Sequence, residues 1–139
     1  MENRCLYRGK RIDNGEWAEG HLITDEKDDL KYFIGYVLGT DEDGSPHDLD
    51  AVQVDPSTIC QCTGLKDKNG KLIFENDIME AHIDEDFPED VSRFKVEWNG
   101  KGWVENHPDG VDREYLDDFE TEHFKVVGNI FDNPELLEV

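Results

Sequence analysis

Thiols and carboxylates are the side chains here with the chemistry to act. Cys60 and Cys62 stand two residues apart, a spacing that puts both thiols on one face of a strand and could supply half of a tetrahedral zinc site. The other half does not follow: Cys5 is the remaining cysteine, and His21, His47, His82, His107 and His123 keep no fixed interval from the pair. Two ordinary, half-buried reduced cysteines are expected, with no metal and no cofactor. The segment Asp41-Glu42-Asp43-Gly44-Ser45-Pro46-His47-Asp48-Leu49-Asp50 has the acid density of a calcium loop. With Gly44 in the obligatory glycine position, Gly39 and Asp50 fall at the two ends, where an EF-hand needs Asp and a bidentate Glu. Both ends fail, so an acidic, solvated hairpin loop is expected. The usual enzyme motifs are absent: no Gly-x-Ser-x-Gly elbow, no phosphate-binding Gly-Lys-Ser/Thr loop and no His-Glu-x-x-His. Carboxylates are too abundant for spacing to single out a catalytic pair, so no catalytic residue is assigned and a non-enzyme is expected. Trp17, Trp98 and Trp103 could form an exposed aromatic binding face, although aromatic side chains of small β domains more often fill cores.

Composition narrows the partners. Of 139 residues, 35 are acidic and 14 basic, a net charge of −21. Nucleic-acid affinity comes largely from Lys and Arg neutralising phosphates, so direct DNA or RNA binding is not expected. Anionic membranes should be repelled for the same reason. A basic protein partner suits this charge, as does plain solubility. Charged residues reach 35%, above the usual ~25%, yet aromatics make up 10%, more than a disordered chain of such charge carries. A folded domain with a modest core is therefore expected. No apolar run is long enough to span a bilayer. The opening Met1-Glu2-Asn3-Arg4 leads into charges without the apolar segment of a signal peptide. With three cysteines, an odd number, this predicts a cytoplasmic protein with reduced thiols.

The elements that must position these groups are mostly strands. Turn pairs recur at Asn14-Gly15, Asp43-Gly44, Asn69-Gly70, Asn99-Gly100 and Asp109-Gly110. Between them lie short β-branched and aromatic runs: Arg4–Arg8, Glu16–Ile23, Lys31–Leu38, Ala51–Val54, Thr58–Cys62, Asp77–Ile83, Ser92–Trp98, Gly102–Glu105 and Phe124–Ile130. Many short strands with frequent turns predict a mainly β, antiparallel protein. Asn69-Gly70 should close a tight turn between strands near Leu65 and Leu72–Phe74, both residues accepting positive φ, with Thr63-Gly64 forming a bend upstream. Val111, Tyr115, Leu116 and Phe119 share one helical face and predict a helix. Asn133-Pro134-Glu135 reads as N-cap, first-turn proline and first-turn acid, predicting a short C-terminal helical turn. The acidic stretches Asp25–Asp29 and Asp84–Asp90 are expected as loops.

Three segments resemble the YopX family of phage and prophage proteins. They are Leu6–Arg11 with Asn14–Trp17, the central block Gln61–Ile78, and Val126–Leu137. The central block is the most specific, carrying Gly64, Leu65, Asp67, Asn69, Gly70 and Asp77, which are expected to serve the fold rather than chemistry. Cys62 stands where an aromatic is common in the family, and Asn76 where a glycine often precedes the Asp-Ile pair. The resemblance implies one YopX-like domain over residues 1–139, with an N-terminal β subdomain over about 1–65 and a small SH3-like barrel over about 66–139. It also implies a homo-oligomer in the host bacterial cytoplasm, without an established activity. Two functional expectations follow: a self-assembling, non-enzymatic accessory protein that binds a protein partner, or an acidic DNA mimic directed at a host nucleic-acid-binding protein.

Overall fold

The structure, a computed structural model, describes residues 6–27, 29–40, 42, 46–82, 86, 91–108 and 114–137, and within these leaves aside the side chains of 37–40, 46–49 and 118–120. The strands are β1 Tyr7–Lys10, β2 Trp17–Asp25, β3 Lys31–Thr40, β4 Pro46–Gln53, β5 Cys60–Lys66, β6 Leu72–Phe74, β7 Asp77–His82, β8 Val91–Trp98, β9 Trp103–Asn106 and β10 Lys125–Asn129. One short helix, α1, covers Asp118–His123, and 3-10 turns cover Pro56–Thr58 and Pro134–Leu137. The chain is thus mainly β, with every strand pairing described antiparallel. Among the described residues no helix is long and apolar enough to cross a membrane.

The chain divides into two compact units, Met1–Cys62 and Thr63–Val139. In the first, the strand order is β4-β3-β2-β1-β5. Ile34, Val54, Cys60 and Cys62 are buried there. β1 lies close against them: a Cβ on Gly9 would stand 3.1 Å from the side chain of Val54. Gly35 is needed for a different reason, because a Cβ there would run into the backbone of Asp50 and Ala51 on β4. The expected acidic hairpin loop is shorter than its sequence suggests. Pro46–Asp50 already belong to β4, with Tyr36 opposite Asp50 and Gly39 opposite Asp48, because backbone pairing with β3 continues past the alternation of apolar residues. Asp41, Asp43, Gly44 and Ser45 lie outside the described residues.

β5 continues into the second unit, where β6 is its neighbour. The other strands there form a four-stranded sheet in the order β10-β7-β8-β9. Ile73, Met79, Ala81, Phe94, Val96 and Phe124 make its core, with Leu65, Trp103, Leu116 and Val126 packed against them. The pairing of this sheet does not close into a ring among the described residues.

The helix expected over Val111–Phe119 is a correction. Tyr115 bridges Val104, Leu116 N–H donates to Trp103 O at 3.0 Å, and Glu105 N–H donates to Glu114 O at 2.9 Å. These residues therefore run extended along the edge of β9, and α1 starts only at Asp118. The open edge of β9 offers donors and acceptors that local helical periodicity does not register. Val111 itself lies outside the described residues, as do most of Asp84–Asp90. The C-terminal turn forms as expected, with Leu136 N–H donating to Asn133 O at 3.1 Å.

Candidate functional site

The central block folds as a hairpin, by a different turn from the one its Asn-Gly pair suggests. Gly70 N–H donates to Asp67 O at 2.9 Å, and Asp67 N–H to Lys71 O at 2.8 Å. This leaves Lys68, Asn69 and Gly70 as a three-residue loop, with Gly70 at φ 83°. Asn69 does not have positive φ: among the described residues Asn76, at φ 69°, is the non-glycine that does. Three-residue hairpins take a type I turn followed by one left-handed residue, so only the last position needs glycine. The bend at Gly64 is real, with φ 84°. Leu65 beside it packs on the core.

Asp67 organises this hairpin. Its side chain is buried, and Oδ1 accepts hydrogen bonds from Asn69 N–H and Lys71 N–H, each at 2.9 Å. Oδ2 accepts from Val126 N–H on β10, also at 2.9 Å. The loop is tied to β10 a second time by Lys68 N–H donating to Phe124 O at 3.1 Å. Asp77 acts similarly on the next turn, its Oδ2 accepting from Phe74 N–H at 2.8 Å. Asn76, between them, occupies the left-handed position that a glycine would fill, and Asn tolerates that geometry better than other side chains. Of the motif residues, Asn69 and Gly70 are exposed on the loop, and Asp67 and Asp77 face inward. The two carboxylates thus hold backbone N–H groups and pin the two turns.

Cys60 and Cys62 are both fully buried rather than half-buried, and the Cys60 thiol donates to Thr58 O at 3.3 Å. Burial follows from their place on β5, beside β1. No group of three or more potential metal ligands occurs among the described residues. Trp17 is half-buried beneath two cations: Arg8 Cζ lies 4.7 Å and Lys10 Nζ 5.4 Å from its ring centroid. Pairing of β1 with β2 places them there, with Lys10 opposite Trp17 and Arg8 opposite Glu19.

The β8–β9 hairpin carries the features that sequence reading underweighted. Asn99 Oδ1 accepts from Lys101 N–H at 2.8 Å and Gly102 N–H at 2.9 Å, which fixes the turn and sets Trp98 opposite Trp103. Their rings meet edge to face with centroids 5.0 Å apart. Trp103 packs on the core, whereas Trp98 is 48% exposed. Since side chains alternate along a strand, Glu105 and His107 follow Trp103 on the same face. Glu105 is only 6% exposed, its Oε1 lies 2.7 Å from His107 Nε2, and its buried Oε2 has no partner among the described residues. His107 also stacks at a tilt on Phe94, centroids 5.4 Å apart. The reverse face carries Tyr115, whose hydroxyl accepts from Asn99 Nδ2 at 3.3 Å and whose ring lies where a Cβ on Gly102 would stand 2.9 Å from it. An alternating Trp-x-Glu-x-His run was the available signal for this face.

Comparison with known proteins agrees with this architecture. A solved structure of protein EF1440 from Enterococcus faecalis is similar, with TM-score 0.54 and 26% identity, covering 95% of this chain and 96% of that one. The structure of yopX from Bacillus subtilis shares the fold at TM-score 0.56 and 17% identity, covering 98% of each chain. Among curated proteins there is no match. The family described as YopX protein matches residues 6–138, nearly the whole sequence, and the chain accordingly belongs to the YopX family.

Proposed function

We propose that this chain is a non-enzymatic phage accessory protein that self-assembles and binds a protein partner. The observation that carries the reading is the exposed Trp98 on the β8–β9 hairpin, on a chain of net charge −21. An exposed indole is available to a partner, and Trp is enriched among the residues that carry binding energy at protein interfaces. The non-enzymatic part is supported by Asp67 and Asp77, the motif carboxylates, being engaged by backbone N–H groups. Size-exclusion chromatography with light scattering tests assembly, and a monomer near the chain mass of 16.1 kDa at high concentration refutes it. Capture from host lysate tests partner binding, and failure to retain any host protein at low salt refutes it. The charge also suits a DNA mimic. In that case the retained protein is a nucleic-acid-binding one, lost steeply as salt rises.

A further inference from the structure

We infer that the Trp98–Trp103 face of the β8–β9 hairpin is a docking site for an arginine side chain on a basic segment of a partner protein. This rests on the partner-binding reading above and adds the place and the chemistry. Two observations lie on this face and a third concerns the chain as a whole. Trp98 offers an exposed indole, held in position by edge-to-face contact with Trp103 at 5.0 Å, so little side-chain entropy remains to be lost on binding. Two residues beyond Trp103 on β9, Glu105 is buried, with Oε1 on His107 and Oε2 without a partner among the described residues. Its charge is shared with His107 through Oε1, and what that contact leaves uncompensated adds negative potential in a medium of low dielectric. The whole chain adds to it, with 35 acidic residues against 14 basic.

A cation lying on the Trp98 ring gains from both the indole quadrupole and this field. Arginine fits better than lysine. Its guanidinium is planar, stacks on indole and is more weakly hydrated than an ammonium. Arg8 and Lys10 already make such contacts with Trp17 inside the first unit, whereas the ring of Trp98 meets that of Trp103 and leaves about half of the residue exposed.

The test is calorimetric titration of the full chain at near-physiological salt with a short Arg/Gly peptide and its Lys/Gly counterpart. The parent should prefer the arginine peptide. Trp98→Ala should weaken that binding about tenfold, between the scales of an exposed and a desolvated cation–π contact, and Glu105→Gln about threefold. Tyr36→Ala, which removes an exposed aromatic of the first unit, should change nothing. Circular dichroism of each variant separates loss of binding from loss of fold, and Trp98, being exposed, carries the decision if Glu105→Gln does not fold. Equal binding of both peptides, or a Trp98→Ala variant that binds like the parent, overturns the site and leaves only net-charge attraction. A host protein retained equally by parent and Trp98→Ala also overturns this site while leaving the partner-binding reading intact. If the parent retains no host protein but the peptide preference and its Trp98 dependence hold, the broader reading fails and the site stands.

Discussion

Replacing Asp67 should damage the second unit more than replacing any exposed residue of its hairpin. Its carboxylate accepts three backbone hydrogen bonds, from Asn69, Lys71 and Val126, while the residue itself is buried. Hydrogen bonds to a charged group contribute about 1.5–3 kcal/mol each. Asn69 and Lys71 are exposed, so in Asp67→Ala water replaces much of what their N–H groups lose. Val126 is half-buried on β10, and its N–H loses its acceptor with poorer access to water. Allowing nearly the full value for Val126 and a fraction for the other two gives a loss of about 3 kcal/mol for Asp67→Ala. Asp67→Asn keeps one oxygen, but its NH2 group must then face either Val126 N–H or the loop N–H pair. Two donors pointed at each other should cost about 1–2 kcal/mol. Urea denaturation at one fixed protein concentration measures both, because assembly would otherwise shift the midpoint. Amide exchange at Val126 gives the local readout and should accelerate in both variants. If both melt within about 0.5 kcal/mol of the parent, or if Asn is worse than Ala, the carboxylate is not what joins the hairpin to β10.

Other perturbations test neighbouring contacts. Gly70→Val should cost about 1–2 kcal/mol from left-handed geometry alone, since no atom lies within 4 Å of a Cβ built there; Lys66→Ala and Lys68→Ala should stay within about 0.5 kcal/mol in the same melts. Asn76→Gly should be neutral to slightly stabilising and Asn76→Val destabilising by about 1–2 kcal/mol, because φ is 69° there; equal melting of the two would refute the assigned geometry. Gly35→Ala should force β3 and β4 apart and lower the melting temperature of the first unit, a sharper loss than at Gly70 because the obstruction is backbone. The Asp13 carboxyl is held below its ordinary range chiefly by its hydrogen bond from Arg11, whose own value is raised by the same contact. A lowered folded value means that this contribution is present above the ordinary carboxylate range and is lost as pH falls through the lowered value. Arg11→Gln should return the Asp13 titration upward, as followed by carboxyl-carbon NMR, and an unmoved titration would refute the pairing.

Much of the architecture was legible in the chain because strand formation here is local. Alternation and Asx-Gly turns located the strands, and Trp17, Trp98 and Trp103 each mark a strand end. The Asn133-Pro134 start of the C-terminal turn was equally readable, since capping acts within one turn of its own sequence. The central block carried enough residue-type information to indicate the family. Nonlocal pairing was not legible. Tyr115 and Leu116 have helical spacing, yet the edge of β9, ten or more residues earlier, draws them into extended pairing. Pro46–Asp50 look like an acidic loop, but β3 supplies partners that make them a strand. At Gly70 the three-residue loop is closed by local bonds to Asp67, but the attachment of that hairpin to β10 through Asp67 Oδ2, 59 residues apart in sequence, was hidden for the same reason. The candidate site shows the limit most clearly. Trp98, Trp103, Glu105 and His107 can be seen in sequence to alternate, but which of the two tryptophans is covered, and that a carboxylate oxygen is buried without a donor, depends on what packs over the sheet. Sequence sets hydrogen-bonding capacity and periodicity; burial and the satisfaction of buried polar groups are properties of the assembled tertiary structure.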